Sequence, residues 1–163
     1  MKRTIAIVAG GDSSEFPVSL RSAQGLYSFM DKEKYTVYIV EMKGLCWEAV
    51  LPDGNKTAVD RNDFSFLLNG EKITFDFAYI IIHGTPGENG LLQGYFDLLH
   101  IPYSTCDVLA SALTFNKFAL NHYLQGFGIR ISDSLLVRKG SDISDQDVIE
   151  KIGLPCFIKP NEG

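Results

Sequence analysis

The sequence has no apolar run that approaches the roughly 18 residues of a membrane-spanning helix, no C-x-x-C pair and no excess of basic residues. Its 163 residues include 15 Lys and Arg against 20 Asp and Glu, which gives a formal net charge of −5. Nucleic-acid-binding proteins usually carry a basic stripe or excess, because contacts with phosphates dominate their affinity. We therefore expect no nucleic acid and no membrane among the partners of this protein.

Cysteine is scarce and poorly placed for cross-linking. The three cysteines, Cys46, Cys106 and Cys156, are odd in number and widely spaced, which argues against a zinc site or a disulfide framework. We expect buried free thiols in a reducing compartment, and we predict no metal ligands in this stretch. The apolar residues 4–9 are too few for a secretory signal, so we interpret them as a first strand and expect a cytoplasmic protein.

Patterns of strands and helices alternate along the first two thirds of the chain. Hydrophobic residues make up 45% of the sequence and charged residues 21%, as in ordinary globular proteins. The alternation predicts an α/β fold, Rossmann-like, with a mostly parallel sheet flanked by helices on both faces. Turn signals within residues 43–75 suggest short antiparallel strands there. The other predicted elements are strands at Thr4–Ala9, Tyr35–Met42 and Phe77–Ile82, a strand stub at Ile101–Tyr103, and helices at Val18–Met30, Leu91–Leu99 and, as two helices meeting near Leu113, Asp107–Gln125.

The last third of the chain has a different character. Ser134–Val137 and Cys156–Lys159 have strand-like patterns, and Ser144 resembles the N-cap of a helix over Asp145–Ile152. So few elements cannot bury a core by themselves.

A domain boundary therefore falls near Thr114. We predict one domain over residues 1–113 and the incomplete beginning of a second domain over residues 114–163. Neither internal repeats nor low-complexity tracts interrupt this organisation.

The first candidate site follows the first strand, where Gly10–Leu20 reads GGDSSEFPVSL. The G-x-G-x-x-G fingerprint of dinucleotide-binding loops is absent. Pro17 suits the first turn of a helix, and Glu15 would lie just before or within that turn, where the helix dipole favours a carboxylate by about 0.3–1 kcal/mol. Glu15 is thus either only a helix-start carboxylate or, at the carboxyl end of a strand, a receptor for a substrate ammonium.

The second candidate site is the loop His83–Gly90, HGTPGENG, which follows another apolar strand. Three glycines and a proline in eight residues indicate a tight loop with accessible backbone. His83 could donate to or accept from a ligand, and Glu88 could orient a neighbouring group. A histidine in such a place can also be purely structural, but its combination with Glu88 and the glycines favours a site.

Two lysines form the third candidate. Lys117 lies early in a predicted helix, where the helix dipole disfavours a cation unless an anion is near. Lys159 ends a short apolar strand and could meet a phosphate as a point charge. A lysine taken alone at either position is more often a solvated surface charge than a phosphate ligand.

Together these segments resemble the D-alanine–D-alanine ligases of the ATP-grasp superfamily. The matches lie in family order and at family-like spacing, and only residues 43–75 lack a motif. The resemblance implies a Rossmann-like pre-ATP-grasp domain followed by the truncated start of an ATP-grasp domain. The matching stretches are GGDSSEFPVSLRSA (Gly10–Ala23), HGTPGENGLLQGYFDLLHIPY (His83–Tyr103), LASALTFNK (Leu109–Lys117) and LPCFIKP (Leu154–Pro160).

The resemblance also implies an activity. These ligases use ATP to phosphorylate the carboxylate of one D-alanine, and the amine of a second D-alanine attacks the acyl phosphate. A tetrahedral intermediate then collapses to the dipeptide, a precursor of peptidoglycan in cell wall biogenesis and cell shape. The implied cofactors are ATP and Mg²⁺, the implied location is a bacterial cytoplasm, and we expect neither cofactor to bind tightly to this stretch alone.

The first-substrate side of the family site is matched residue by residue. Glu15 falls on the family's carboxylate near the ammonium of the first D-alanine, which is the catalytic assignment that the resemblance implies. Val18 and Ser19 fall on the helix start beneath that substrate. His83 falls on the family histidine beside it, and Glu88 on the loop glutamate that helps to hold this histidine.

Lys117 and Lys159 fall on the two family lysines that contact ATP phosphates. The chain departs from the family in having Asn89 and Asn116 where many relatives have Asp, and in the Ser104–Cys106 stretch, which is less glycine-rich. These departures weaken local matches at positions to which we assign no catalytic role.

Several parts of the family's machinery do not occur within these residues. They are the glycine- and serine-rich phosphate loop, the oxyanion-stabilising arginine, the magnesium ligands and the adenine-binding segment. We therefore expect that this polypeptide needs the rest of the ligase chain and has no ligase activity alone.

Two alternative functions remain open from the sequence. A ligase that joins D-alanine to D-lactate or D-serine would share this first half, and a Rossmann-like module could bind an amino acid or a nucleotide without catalysis. The resemblance also implies a possible homodimer through the N-terminal domain. No residue pattern in the sequence defines such an interface.

Overall fold

A computed structural model of the protein describes residues 2–162. It contains one seven-stranded sheet and helices on either side of it. The elements in chain order are β1 (Arg3–Gly10), α1 (Phe16–Phe29), β2 (Tyr35–Lys43), β3 (Cys46–Val50), β4 (Lys56–Asp60), β5 (Ser65–Leu68), β6 (Glu71–Ile73), β7 (Phe77–Ile80), α2 (Leu91–Leu98), α3 (Val108–Phe115), α4 (Lys117–Gln125) and α5 (Asp145–Lys151).

The sheet is mixed, with the order β6-β5-β4-β3-β2-β1-β7. Its parallel part consists of β1 between β2 and β7, and an isolated parallel bridge joins Ala78 of β7 to Tyr103. The four pairings from β2 to β6 are antiparallel. The α/β architecture and the short antiparallel strands within residues 43–75 are confirmed. The expectation of a mostly parallel sheet is wrong, because those strands join the same sheet and make four of its six pairings antiparallel.

Strand β1 is buried from Ile5 to Gly10, and its side chains there are apolar because both faces of the strand are covered. Ile5, Ile7 and Ala9 pack with Ala23 of α1 on one face. Ala6 and Val8 lie on the opposite face, in a cluster that includes Leu92 and Phe96 of α2. This is the pattern of a buried strand in which successive side chains point to opposite faces, and it confirms the predicted helices on both sides.

Residues 43–75 contribute four strands and five of the fifteen buried residues in the core cluster on the α2 side of the sheet. Phe64, Phe66 and Phe75 are buried there, and the rings of Phe64 and Phe96 are 4.9 Å apart in an edge-to-face arrangement. Tyr95 of α2 donates its hydroxyl hydrogen to the carbonyl of Arg61 at 2.8 Å. Burial near the acidic Asp60–Asp63 turn raises the pKa of Tyr95 to about 12. The segment therefore anchors α2, which directly follows the candidate loop His83–Gly90.

The chain divides into two compact units, Met1–Ser111 and Ala112–Gly163. Helix α5 begins with a capping box in which the side chain of Ser144 accepts from the backbone of Asp147 and the Asp147 carboxylate accepts from the backbone of Ser144, as predicted. Helices α3 and α4 meet at Asn116, close to the predicted junction.

Two strand predictions in the second unit are wrong. Neither Ser134–Val137 nor Cys156–Lys159 forms a strand. A strand needs a neighbour to satisfy its backbone groups, and the described residues of this unit include no other strand with which they pair. Phe157 and Ile158 accordingly remain 91% and 97% exposed.

The cysteines are free, but the expectation that they are buried is wrong. Cys46 and Cys106 are exposed, and Cys156 is half-buried. They lie on the short strand β3, in a turn and in the irregular C-terminal segment, where there is little structure to cover them.

In the part of the chain that the structure describes, no helix combines the length and the apolar character needed to cross a membrane.

Candidate functional site

The turn between β1 and α1 has a fixed geometry. Gly10 and Gly11 have φ values of 102° and 94°, and a Cβ on Gly10 would lie 2.3 Å from the carbonyl oxygen of Met42. Only glycine combines this conformation with so close an approach. The chain therefore turns tightly at the carboxyl end of β1, and Glu15 is the residue that immediately precedes α1.

Glu15 and Val18 lie on the exposed side of this helix start. Glu15 occupies the N-cap position of α1, where it is exposed and its side chain makes no capping hydrogen bond. Val18 is 48% exposed. Both side chains are accessible to a ligand at the amino end of α1.

Ser19 has a different place from that of its neighbours. It is fully buried, and its hydroxyl donates to the carbonyl oxygen of Ile81 at 2.7 Å and accepts from the backbone N–H of Gly10 at 2.9 Å. The hydroxyl thereby connects the carboxyl ends of β1 and β7. Ser19 supports the turn from below rather than facing it.

The loop from His83 to Gly90 is held by its own glutamate. A carboxylate oxygen of Glu88 accepts from the backbone N–H of Gly84 at 2.7 Å, and the N–H groups of Gly87 and Glu88 both donate to the carbonyl of Gly84 at 2.9 Å. His83 is half-buried and Glu88 is exposed. The carboxylate of Glu88 thus fixes the peptide that directly follows His83.

The two loops are bonded to each other. The hydroxyl of Ser13 donates to the carbonyl of His83 at 2.8 Å, and the N–H of Asp12 donates to the carbonyl of Thr85 at 2.9 Å. Since β1 and β7 are parallel neighbours, both loops leave the same edge of the sheet. The structure therefore brings the turn that carries Glu15 together with the loop that carries His83.

A shallow cleft of about 230 Å³ lies beside this turn, lined by residues such as Phe16, Glu41 and Lys56. Lys56 already forms ion pairs with Glu41 at 2.6 Å and with Glu48 at 3.9 Å. None of the predicted site residues lines this cleft, and its charges are largely paired among themselves.

Lys117 is the first residue of α4, in the second unit. Its backbone N–H donates to the carbonyl of Asn161 at 3.0 Å, and the N–H of Phe118 donates to the side-chain oxygen of Asn161 at 3.0 Å. Asn116 is the N-cap, accepting from the N–H of Ala119 at 2.9 Å. The amino terminus of α4 is therefore capped by residues from two parts of the chain.

The same bonds fix the segment that carries Lys159. Lys159 is exposed and lies two residues before Asn161, with its ammonium 5.7 Å from the centre of the Phe157 ring. The side-chain amide of Asn116 also donates to the carboxylate of Glu162 at 2.7 Å. The segment with the second lysine is thus bonded to the helix start with the first.

Sequence reasoning missed the residues that connect these parts. Ser13 and Asp12 join the two loops, Asn161 joins the two lysine segments, and Gln93 of α2 donates from below to Gly87 of the histidine loop. A signal was available only for Gln93, since an uncharged polar residue on the apolar face of a predicted helix suggests a specific hydrogen-bond partner.

The sequence of residues 4–106 matches the family model described as D-ala D-ala ligase N-terminus. The chain belongs to this family. The match covers β1 to β7, α2 and both loops of the candidate site, while Lys117 and Lys159 lie outside it.

Curated relatives agree with the family. The chain is 76% identical over 163 residues to the D-alanine--D-alanine ligase of Phocaeicola vulgatus, covering all of this chain and 50% of that protein. It is 72% identical to the ligase of the same name from Bacteroides thetaiotaomicron, with the same coverage. The chain thus spans about half the length of the curated relatives it matches, and their names do not favour the alternative functions considered above.

A solved structure agrees as well. The D-alanine--D-alanine ligase of Bacillus anthracis complexed with ATP superposes with a TM-score of 0.74 at 27% identity, covering 99% of this chain and 48% of that one.

Proposed function

We propose that residues 1–163 form the N-terminal half of an ATP-dependent D-alanine–D-alanine ligase that supplies peptidoglycan precursors. In this proposal residues 1–113 are the pre-ATP-grasp domain, which holds the first D-alanine. Residues 114–163 begin the central ATP-grasp domain, which the remaining half of the ligase completes. The high identity to curated ligases over the whole chain supports this proposal.

The observation that carries the substrate assignment is the bonded pair of loops at the edge of the parallel strands. Two hydrogen bonds hold the turn that carries Glu15 against the loop that carries His83. They run from Ser13 to His83 at 2.8 Å and from Asp12 to Thr85 at 2.9 Å. Ligands of α/β proteins bind outside the carboxyl ends of parallel strands. D-Alanine is a zwitterion, and an acidic group beside a hydrogen-bonding imidazole suits its ammonium and its carboxylate.

Each predicted residue has a role in this proposal. The carboxylate of Glu15 attracts the ammonium of the first D-alanine, and Val18 presents its apolar surface at the helix start. His83 lies beside the substrate, and Glu88 holds the backbone next to His83. Ser19 acts from beneath as a tie between two strand ends, which is an indirect role.

Electrostatics argue that this half binds D-alanine weakly by itself. Glu15 is exposed, and an ion pair in a solvated position contributes at most about 1 kcal/mol. The same pair gains several-fold in strength when water is excluded from it. We therefore expect a Kd of about 1 mM or weaker for residues 1–163, and tighter binding only when the rest of the ligase covers the site.

Lys117 and Lys159 would hold the phosphates of ATP. The bonds from Asn161 to the start of α4 support this, because they fix the Lys159 segment beside Lys117. The N–H groups of Lys117 and Phe118 are used in those bonds, so the ammonium groups are the parts that suit phosphate. ATP supplies the phosphoryl group that activates the first D-alanine.

Mg²⁺ has no site that we can assign in this half. Residues 2–162 contain no cluster of three or more His, Cys, Asp or Glu side chains that could hold a metal ion. Its ligands in the family would come from the remaining half of the ligase, so we derive no step through it.

The substrate assignment can be tested in the complete ligase. Glu15→Gln and His83→Asn should raise the KM for the first D-alanine at least tenfold and leave the KM for ATP within twofold. Matched controls are Glu33→Gln, an exposed carboxylate, and His100→Asn, at a position with φ of 56° that asparagine tolerates. Unchanged D-alanine kinetics in both site variants would contradict the assignment.

We further propose that residues 1–163 alone have no ligase activity and that the ligase acts in the bacterial cytoplasm. The exposed free thiols of Cys46 and Cys106 suit a reducing compartment. D-Alanine-dependent release of phosphate from the purified 163-residue chain would refute the first point.

A further inference from the structure

Gln93 is a buried polar residue whose bonds lead toward the site. It lies in the first turn of α2 and is fully buried. Its amide nitrogen donates to the carbonyl oxygen of Gly87 at 2.7 Å and to the hydroxyl of Thr105 at 2.9 Å. The amide thus connects the histidine loop to the turn that precedes α3.

The orientation of this amide is fixed by its partners. The side-chain oxygen of Gln93, Oε1, accepts no hydrogen bond from any residue within 2–162. Turning the amide over would place that oxygen against the carbonyl of Gly87, so that two acceptors would face each other. The two donated bonds therefore determine the orientation, and both of them act on loops.

Gly87 connects the hydrogen bond from Gln93 to the backbone around His83. A Cβ on Gly87 would lie 2.5 Å from the Cβ of Ile82, so Gly87 packs tightly against the residue before His83. The carbonyl that Gln93 holds belongs to the peptide linking Gly87 to Glu88. Glu88 in turn accepts from the N–H of Gly84, the residue after His83.

We propose that Gln93 is a positioning residue for the first-substrate site: its amide sets the orientation of the Gly87–Glu88 peptide, and Glu88 then fixes the backbone beside His83. The identity of the substrate in this inference rests on the proposed function, and the positioning role rests on the hydrogen bonds of Gln93. Gln93 itself touches no reacting atom.

Two variants and one control test the mechanism in the 163-residue chain. Gln93→Met keeps the volume of the side chain and removes both donated bonds. Thr105→Val, at an exposed position, removes only the second bond and leaves the core intact should Gln93→Met fold poorly. Gln24→Met, at an exposed position of α1, is the matched control.

Amide hydrogen exchange measures how firmly the Gly84 N–H is held by its hydrogen bond to Glu88. We expect the Gly84 N–H to exchange at least tenfold faster in Gln93→Met and by a smaller factor in Thr105→Val, while amides of β1 keep their rates. Gln24→Met should leave all of these rates unchanged. Equal acceleration in β1, or none at Gly84, would overturn the proposal, since either result would mean that Gln93 has only a general structural role.

Kinetics of the complete ligase separate this inference from the proposed function. Gln93→Met should raise the KM for the first D-alanine about tenfold, since small displacements of positioned groups have large effects, with the KM for ATP unchanged. Combined with Glu88→Gln, its effect should be less than multiplicative, because both residues act through one loop. If Gln93→Met leaves this KM unchanged while Glu15→Gln raises it, the positioning role is refuted and the proposed function stands. If neither Glu15→Gln nor His83→Asn alters it, the proposed function fails and this inference fails with it.

Discussion

The hydroxyl of Ser19 offers the sharpest test of how the site is built. Replacing Ser19 by alanine deletes the bonds to the carbonyl of Ile81 at 2.7 Å and from the N–H of Gly10 at 2.9 Å. Each buried bond contributes about 0.5–1.5 kcal/mol, and an unpaired buried N–H costs about 1–3 kcal/mol. Because Ser19 is fully buried, water cannot replace the hydroxyl, and we expect Ser19→Ala to lower the free energy of unfolding by about 2–4 kcal/mol.

Urea unfolding followed by the fluorescence of Trp47, the single tryptophan of the chain, measures this loss in the unit that contains Ser19. With an m-value of about 2 kcal/mol per M, the midpoint should fall by about 1–2 M. Ser28→Ala is the matched control, because its hydroxyl donates to the carbonyl of Gly25 on the exposed side of the same helix. A Ser19→Ala midpoint equal to that of Ser28→Ala would refute the reasoning that this hydroxyl ties the two strand ends.

Three further perturbations test other parts of the structure. Gly25→Ala, within α1 and with no atom within 4 Å of the added methyl group, should raise the free energy of unfolding by about 0.5–1 kcal/mol, measured by the same urea titration. Asn116→Asp keeps an N-cap acceptor but replaces the amide that donates to Glu162 by a second carboxylate. We therefore expect the amides at the start of α4 to exchange faster with solvent, and the double variant that also carries Glu162→Gln to recover the slower rates. The hydrogen bond from Ser144 holds the pKa of Asp147 below its usual range. The ionised Asp147 carboxylate therefore stabilises α5 fully above pH ~4, and this stabilisation is lost as the pH falls through the lowered pKa. The NMR shifts of the Asp147 carboxyl group, followed as a function of pH, measure this titration.

The elements of the first unit follow from local patterns in the sequence. The uninterrupted apolar run of β1 predicts burial on both faces, and the two core clusters on either side of it account for that pattern. Turn signals within residues 43–75 predict antiparallel hairpins, and β3 to β6 confirm them. These predictions succeed because periodicity and turn chemistry act over a few residues.

Predictions in the second unit succeed only where the signal is local. The capping box of Ser144 and Asp147 lies within four residues and is present as expected. The apolar segment before Lys159 has a strand-like composition but no pairing partner in the described chain, so it forms no strand, and Phe157 and Ile158 remain exposed. Composition can favour a strand, but pairing decides whether one forms.

The sequence alone determined which residues could form a site and at which edge of the sheet they lie. Glu15 and His83 each follow an apolar strand, and parallel neighbouring strands place such loops at one edge. Only the tertiary structure decided how they are held, through Ser13 bonded to His83 across 70 positions and Ser19 bonded to Ile81 across 62. The sequence cannot distinguish a serine hydroxyl that faces a ligand from one that donates to a distant carbonyl, because its partner is determined by the folding of the whole chain.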